Sequence, residues 1–413
     1  MPRLRIGVYS GMYIISLAPT PPYRSGLSHY VLYLYFNFSP HHKINIITNK
    51  DSSVFQSSNI TLSKTFTPGV GAPWACLRKI LTQERPDILH LHVEYSFLGS
   101  WLNFISLSLF MIILRTACRS CKIVTTLHGV PRYWSIYFYL KTKSRLSSVS
   151  KPIALIYTIL SYISVSLSFA LSDAVIVHTE LMKSALASFI PRNMLSKVHV
   201  IPHGSYEPRN YMKNSRSNKD SIIVLTFGYQ RPSKGLKTLL RAAREVSRRA
   251  TNVKFMIVGE HIQRNLEREE KLMGNDIGAK IEIINSFLKD EDLDEIIKKA
   301  DIIVLPYEDM FYESSGALHR VVLFGKALIC SNVPRFRSCL NHGENALLFR
   351  PGDYVELATH LSKLINDYSL REQLSKRIVE SFLHTRWKIV ARKHEQLFLE
   401  LLISRYKDVT KGR

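Results

Sequence analysis

Short runs that are mostly apolar from end to end, most of them separated by a helical period, recur along the whole chain. In the first half they are Arg5–Ser10, Lys43–Asn49, Asp87–Val93, Lys122–Leu127, Asp173–Thr179 and Lys197–Pro202. In the second half they are Ser221–Gly228, Lys254–Gly259, Lys280–Phe287, Asp301–Tyr307, Ala327–Asn332 and Ala346–Phe349. A strand with one wet face alternates apolar and polar residues, whereas a strand buried on both faces need not. Runs of the second kind, separated by helices, specify an α/β fold with parallel sheets. At 413 residues the chain exceeds a single hydrophobic core, so two doubly wound domains are expected. Ligands of such sheets bind outside the carboxyl ends of the strands. Two Rossmann-like domains facing a cleft would hold the ligand between them.

The boundary falls at the polar stretch Tyr206–Asp220, which contains Pro and has no apolar period. The expected division is a domain over 1–205, a linker over 206–220, a second domain over 221–384 and a C-terminal helix within 385–413. That helix carries an apolar stripe, Ile389, Val390, His394, Leu397 and Leu401, which needs a surface to cover. The N-terminus starts as a strand and lacks the long apolar region of a signal peptide. Five cysteines with irregular spacing argue against a disulfide framework and fit a reducing compartment. Cys118 and Cys121 form a lone C-x-x-C without a second pair at zinc spacing, so small residues ahead of a strand are the better reading.

Charge narrows the partners. The net charge of +23 calls for an anionic ligand or surface. From Tyr95 to Ser172 there is no Asp or Glu, while eight cations from Arg115 to Lys151 lie in the span and aromatics crowd among them at Tyr133–Tyr139. Two apolar helices, Phe97–Leu114 and Pro152–Leu171, flank it and approach the ~20 residues that span a bilayer. Strands of one sheet lie on both sides of each, so crossing would tear the domain. They are expected to be crossover helices, buried over most of their surface, beside a basic and aromatic face suited to docking on an anionic bilayer. No segment resembles a nucleic-acid-binding module, so no nucleic-acid partner is expected.

Two stretches of the second half point to phosphate. Phe227–Gly235 reads as strand, glycine turn and helix start, with Arg231 and Lys234 in the turn. A helix N-terminus offers free N–H groups and a favourable dipole to anions. Alone, this could be a solvated basic loop. Further on, Glu313, Ser314, Ser315, Gly316 and Ala317 open another helix, with a serine to cap it and a glycine that admits close approach. Two such termini make a diphosphate ligand the better reading. In the first half, Gly26 opens a helix after the first strand. His128 stands at a strand's carboxyl end beside Gly129, placed to hydrogen-bond a substrate hydroxyl or carbonyl. His90 and His92 share one face of a strand end and lack a third metal ligand, and His203 ends the sixth strand. Asp290–Asp294 contains D-x-D but opens a helix, where the dipole favours acids, so no metal is expected.

These residues, in this order, resemble family 4 glycosyltransferases, the retaining nucleotide-sugar enzymes of GT-B fold. Asp87–His92, Leu127–Gly129, Asp173–Thr179, Val200–Gly204, Phe227–Gly235, Ser315–Lys326, Asn332–Phe336 and Gly343–Phe349 resemble the family's successive segments. There are departures. Tyr229 stands where the family puts Arg, with Arg231 two residues on as the substitute. The family often carries E-x7-E across its donor helix; here the first Glu is Glu313 and the second position falls near His319 or Arg320. The resemblance implies transfer of a hexose from a UDP- or GDP-sugar, a co-substrate with no other cofactor, to a saccharide or lipid-linked saccharide. It implies that Arg231 and Lys234, with N–H groups near Ser315 and Gly316, stabilise the leaving diphosphate. His128 would contact the sugar, Glu313 would lie near its hydroxyls, and the final helix would cross back onto the first domain. With the charge pattern, it places the enzyme in the cytoplasm, peripheral on the cytosolic face of the membrane. A nucleotide-sugar 2-epimerase of the same fold, or a degenerate scaffold, stays open beside it.

Overall fold

The computed structural model describes residues 11–54, 57–67, 72–82, 85–94, 102–137, 150–208, 221–229, 231–260, 262 and 280–411. The expected strand Arg5–Ser10, the start of helix Phe97–Leu114 and most of the linker lie outside them. The chain forms two compact units. The first is 1–204 with 312–314 and 387–413, and the second is 205–311 with 315–386.

The first unit is built on β1 (Tyr13–Leu17), β2 (Lys43–Asn49), β3 (Ile60–Phe66), β4 (Ile88–Val93), β5 (Lys122–Leu127), β7 (Ala174–Val177) and β8 (Val198–Val200). They form one sheet in the order β3-β2-β1-β4-β5-β7-β8, every pair parallel. All four residues of β7 are buried, which is why that run lacks alternation, and all six of β4 are buried as well, its His90 and His92 included. The connections include α1 (Gly26–Phe36), α2 (Ala72–Thr82), α3 (Leu102–Ala117), α4 (Ser150–Leu171) and α5 (Glu180–Leu186). Asp87 and Asp173, each just ahead of a strand, take backbone N–H groups of Tyr13 and Ile123, and Arg115 lies 2.9 Å from Asp173.

The second unit repeats the plan with β9 (Ile222–Phe227), β10 (Val253–Val258), β11 (Ile281–Ile284), β12 (Ile302–Leu305), β14 (Ala327–Ser331) and β15 (Leu347–Phe349). The order is β11-β10-β9-β12-β14-β15, again parallel. Its helices include α6 (Leu236–Ser247), α7 (Asp290–Lys299), α8 (Gly316–Val321), α9 (Tyr354–Asn366) and α10 (Tyr368–Phe382). Apolar side chains on both faces of the sheet build two clusters, one around Leu225, Leu305 and Phe324, the other around Val224, Val304 and Leu361. The sheets reverse direction between β1 and β4 and between β9 and β12. Those are the points where doubly wound sheets open a crevice.

The last helix, α11 (Trp387–Lys411), belongs to the first unit. Val390, His394 and Leu397 of its stripe are fully buried, and Ile389 and Leu401 partly so. Trp387 stacks on Tyr33 of α1 at 5.8 Å, and Phe398 meets Phe38 at 6.1 Å. One short ladder joins distant stretches of sequence: β13 (Tyr312–Glu313) pairs antiparallel with β6 (Gly129–Val130), within the first unit.

Two expectations need correction. The strand Tyr13–Leu17 was not foreseen, nor was Ile60–Phe66, whose residues are mostly half exposed because β3 lies at the sheet edge. The helix α4 is less buried than a crossover helix should be, with 39% of its apolar window inside the protein. Much of its buried face is small and hydroxylic, with Ala154, Thr158, Ser161, Ser164 and Ser168, and Val165 and Phe169 bury apolar bulk near its C-terminal end. Thr158, Ser161 and Ser168 donate to carbonyls one turn back. Leu155, Ile156, Ile159 and Ile163 point outward, each at least half exposed.

Candidate active site

In the second unit the turn after β9 sits at the β9/β12 reversal. Gly228 adopts φ +109° and its N–H bonds the Val258 carbonyl. Arg231 is exposed, its guanidinium 5.1 Å from the centre of the Tyr229 ring. A single 3-10 turn, Pro232–Lys234, then leads to Gly235 at the N-cap of α6 with φ +68°. A Cβ there would lie 1.8 Å from the Pro306 carbonyl oxygen, so only glycine lets α6 start against the end of β12. The β12 loop is tied to this turn. Glu308 N–H donates to Ser233 O at 2.8 Å, and Thr238 Oγ1 donates to Glu308 at 2.6 Å. Lys234 Nζ lies 3.5 Å from the centre of the Tyr307 ring, and the buried Arg335–Asp309 pair packs on the same ring's surroundings.

At α8, Ser315 rather than Ser314 is the cap: its Oγ accepts from Leu318 N–H at 3.2 Å. Gly316 is exposed, and a Cβ on it would meet nothing within 4 Å. Ala317 packs partly buried against the core. His319 and Arg320, where the second Glu was sought, both point inward. Ser205 Oγ lies 2.8 Å from His319 Nδ1. Arg320 pairs with Asp294 and, at 3.3 Å, with Asp290 of α7. The D-x-D run therefore lends two of its acids to an internal ion pair. Burial pushes the Asp294 carboxyl up, and the Arg320 charge opposes that shift. Among the described residues, no group of His, Cys, Asp or Glu is arranged to hold a metal ion.

In the first unit, Ser25 caps α1 by accepting from Ser28 N–H, and the space beside Gly26 is open. Tyr30, one turn into α1, is fully buried. Its ring lies within 6 Å of those of His92, His128, His178, His203 and Trp387. His128 keeps some accessible surface, but both its ring nitrogens are engaged, with His92 Nδ1 at 3.1 Å and His178 Nε2 at 3.1 Å. Glu313 pairs with Gly129 in the β13–β6 ladder, which sets it beside His128 in the chain's fold. His90 lies behind, bonded to Tyr35 and Thr126. Burial holds all these imidazoles below their ordinary range, His178 at about 4 and His203 at about 3. The reading of the sequence missed His178. It ends a strand as His128 does, and that shared position was the available signal.

Comparison with known proteins decides the family. The profile described as "Glycosyltransferase Family 4" matches residues 24–205, and the one described as "Glycosyl transferases group 1" matches 208–380. The chain belongs to the family 4, group 1 glycosyltransferases.

Other likenesses agree with this glycosyltransferase assignment. Alpha-D-kanosaminyltransferase of Streptomyces kanamyceticus is 26% identical over 38% of this chain and 39% of its own length. 2-Deoxystreptamine N-acetyl-D-glucosaminyltransferase of Niallia circulans is 25% identical over 41% of each. The matches thus span about two fifths of the curated relatives. Sucrose-phosphate synthase of Thermosynechococcus elongatus shares the fold at TM-score 0.70 and 17% identity, over 95% of this chain and all of that one. Anabaena HepE, solved with UDP and glucose, does so at 0.66 and 14%, over 94% and 100%. The fold is GT-B, with two parallel sheets of Rossmann type.

Proposed function

We propose that this glycosyltransferase moves a hexose from a nucleoside-diphosphate sugar to an acceptor hydroxyl, with retained configuration and without a required metal. The observation that carries the reading is the turn Gly228–Gly235 at the β9/β12 reversal, with Arg231 exposed in it. In the second unit, Arg231 and Lys234 stabilise charge developing on the leaving diphosphate, as preorganised cations do best. Backbone N–H groups at Ser315, Gly316 and Ala317 face the same anion. In the first unit, His128 and Glu313 meet the sugar, and the N–H groups at Gly26 face the donor. HepE of Anabaena is described with UDP and with UDP-glucose, which supports a UDP-sugar as the first donor to try.

The test is equilibrium binding of UDP, GDP, ADP and CMP to the wild type and to Arg231→Ala/Lys234→Ala. Selective binding of one diphosphate should weaken by about 1.5–3 kcal/mol for each charge-assisted contact removed. Equal binding by wild type and variant would remove both residues from the donor site. Sugar turnover with no acceptor added would favour an epimerase instead.

The outward face of α4 supports a second, finer reading: the enzyme works peripherally on an anionic membrane, on the cytosolic face, with a lipid-linked saccharide acceptor. Over its first four turns this helix buries Ala154, Thr158, Ser161 and Ser164 and turns Leu155, Ile156, Ile159 and Ile163 outward. Leu109, Ile112 and Ile113 of α3 and Trp134 are exposed as well. Tyr133, Lys151, Pro152 and Leu155 line an open depression of about 460 Å³. Each Leu or Ile taken out of water is worth about 1.5–3 kcal/mol, and the acid-free basic stretch supplies attraction to anionic headgroups. Wild type should sediment with vesicles containing phosphatidylglycerol and less with pure phosphatidylcholine. Ile156→Glu/Ile159→Glu should stay in the supernatant. Equal sedimentation of the variant would sink this reading.

A further inference from the structure

Four neighbouring strands of the first sheet, β4, β5, β7 and β8, carry a histidine at or shortly beyond their carboxyl ends: His92, His128, His178 and His203. The strand order sets His128 between His92 and His178. His178 Nδ1 lies 3.1 Å from the Ile201 carbonyl oxygen. A carbonyl only accepts, so His178 carries its hydrogen on Nδ1. Burial keeps the three rings neutral, with one N–H each. His178 Nε2 is then an acceptor, and the nitrogen 3.1 Å away, His128 Nδ1, must donate to it. His128 Nε2 is an acceptor in turn and receives His92 Nδ1–H at 3.1 Å. His92 Nε2 ends the chain as a buried lone pair without a hydrogen-bond partner among the described residues. One backbone carbonyl thereby sets the tautomer of three rings.

We propose that His178 is a positioning residue that locks His128 as its Nδ1–H tautomer, making His128 Nε2 an obligate acceptor and selecting a sugar hydroxyl, not a carboxylate, at that nitrogen. This rests on the reading of His128 as a donor-sugar contact. In the structure that acceptor is met by His92 Nδ1–H. His92 is 3% exposed while His128 keeps accessible surface, so an entering hydroxyl meets the His128 ring first and competes with the His92 N–H for Nε2. A carboxylate brings no hydrogen and would face a lone pair.

The test is imidazole 15N NMR on the full chain, with steady-state transfer measured on the same samples. Wild-type His128 should give the Nδ1–H signature. His178→Phe keeps the ring contacts with Tyr30 and His203, at 5.2 and 5.7 Å, but removes the acceptor. There the His128 signature should turn to a tautomer mixture, and kcat/KM for the donor should fall about tenfold, the scale of one hydrogen bond. His178→Gln offers an amide oxygen in place of Nε2 and should restore both. His92→Phe removes only the competing donor and should leave the Nδ1–H signature in place. An Nε2–H or imidazolium signature in wild type, or an unchanged signature in a folded His178→Phe, overturns the lock. A lost lock with unchanged kcat/KM overturns the substrate selection assigned to His128 and leaves nucleotide binding at Arg231 and Lys234 to be judged separately. Near-UV circular dichroism separates these outcomes from misfolding.

Discussion

Two glycines at helix starts differ in what a methyl group would cost. At Gly235 the backbone is left-handed and the Pro306 carbonyl leaves no room for a Cβ. Gly235→Ala should lose about 2 kcal/mol or more, since strain and a backbone clash add; urea unfolding of the second unit reads it. Gly316 has open space where a Cβ would go. Gly316→Ala should unfold within about 0.5 kcal/mol of wild type yet bind the nucleotide more weakly, because the methyl occupies the approach to Ser315 and Gly316. Unchanged affinity would move the diphosphate away from α8. Both glycines were legible as turn residues. Gly316 was legible as a point of close approach as well, whereas the packing necessity at Gly235 was not, because it lies in Pro306, far along the chain.

At the scale of elements, Arg320 joins α8 to α7. Its side chain is 8% exposed and that of Asp294 9%. Arg320→Ala should destabilise the second unit by about 3 kcal/mol or more, because a buried carboxylate is left without its counter-charge. Adding Asp294→Asn should recover part of that loss, measured by the same urea titration. No recovery would mean that Arg320 acts through its packing on Tyr206, 4.8 Å away, and not through charge. The acidic run Asp290–Asp294 was legible as a helix start. Arg320 read as a lost Glu, since a partner thirty residues upstream leaves no local trace.

Across the whole molecule, the buried histidines other than His319 gather in the first unit. Folding lowers His178 and His394 to about 4 and His203 to about 3, from an ordinary value near 6.5. Below pH 6.5 the unfolded chain takes up protons that the native rings refuse. Stability is therefore full above pH 6.5 and falls as pH drops towards 4, by about 1.4 kcal/mol per pH unit for each such ring. The first unit should unfold in that window ahead of the second, which holds no comparable cluster among its described residues. Fluorescence of Trp387, which touches Tyr30 and His203, should follow it. A flat response between pH 6.5 and 4 would show that the rings are solvated.

The sequence by itself determined the α/β class, the two sheets and most strand positions. A strand buried on both faces is mostly apolar, and that property is local. It also offered Arg231 and Lys234, in the turn after an apolar run, and His128, at the end of another, as candidates. The edge strand Ile60–Phe66 escaped because a half-wet strand loses that signature. Tertiary structure alone decided the rest. The pairing of Glu313 with Gly129, the commitment of Arg320 to α7, the outward face of α4 and the line of histidines each depend on which strands become neighbours. Neighbourhood in a parallel sheet is set by crossover connections and long-range packing, which no single stretch of residues encodes.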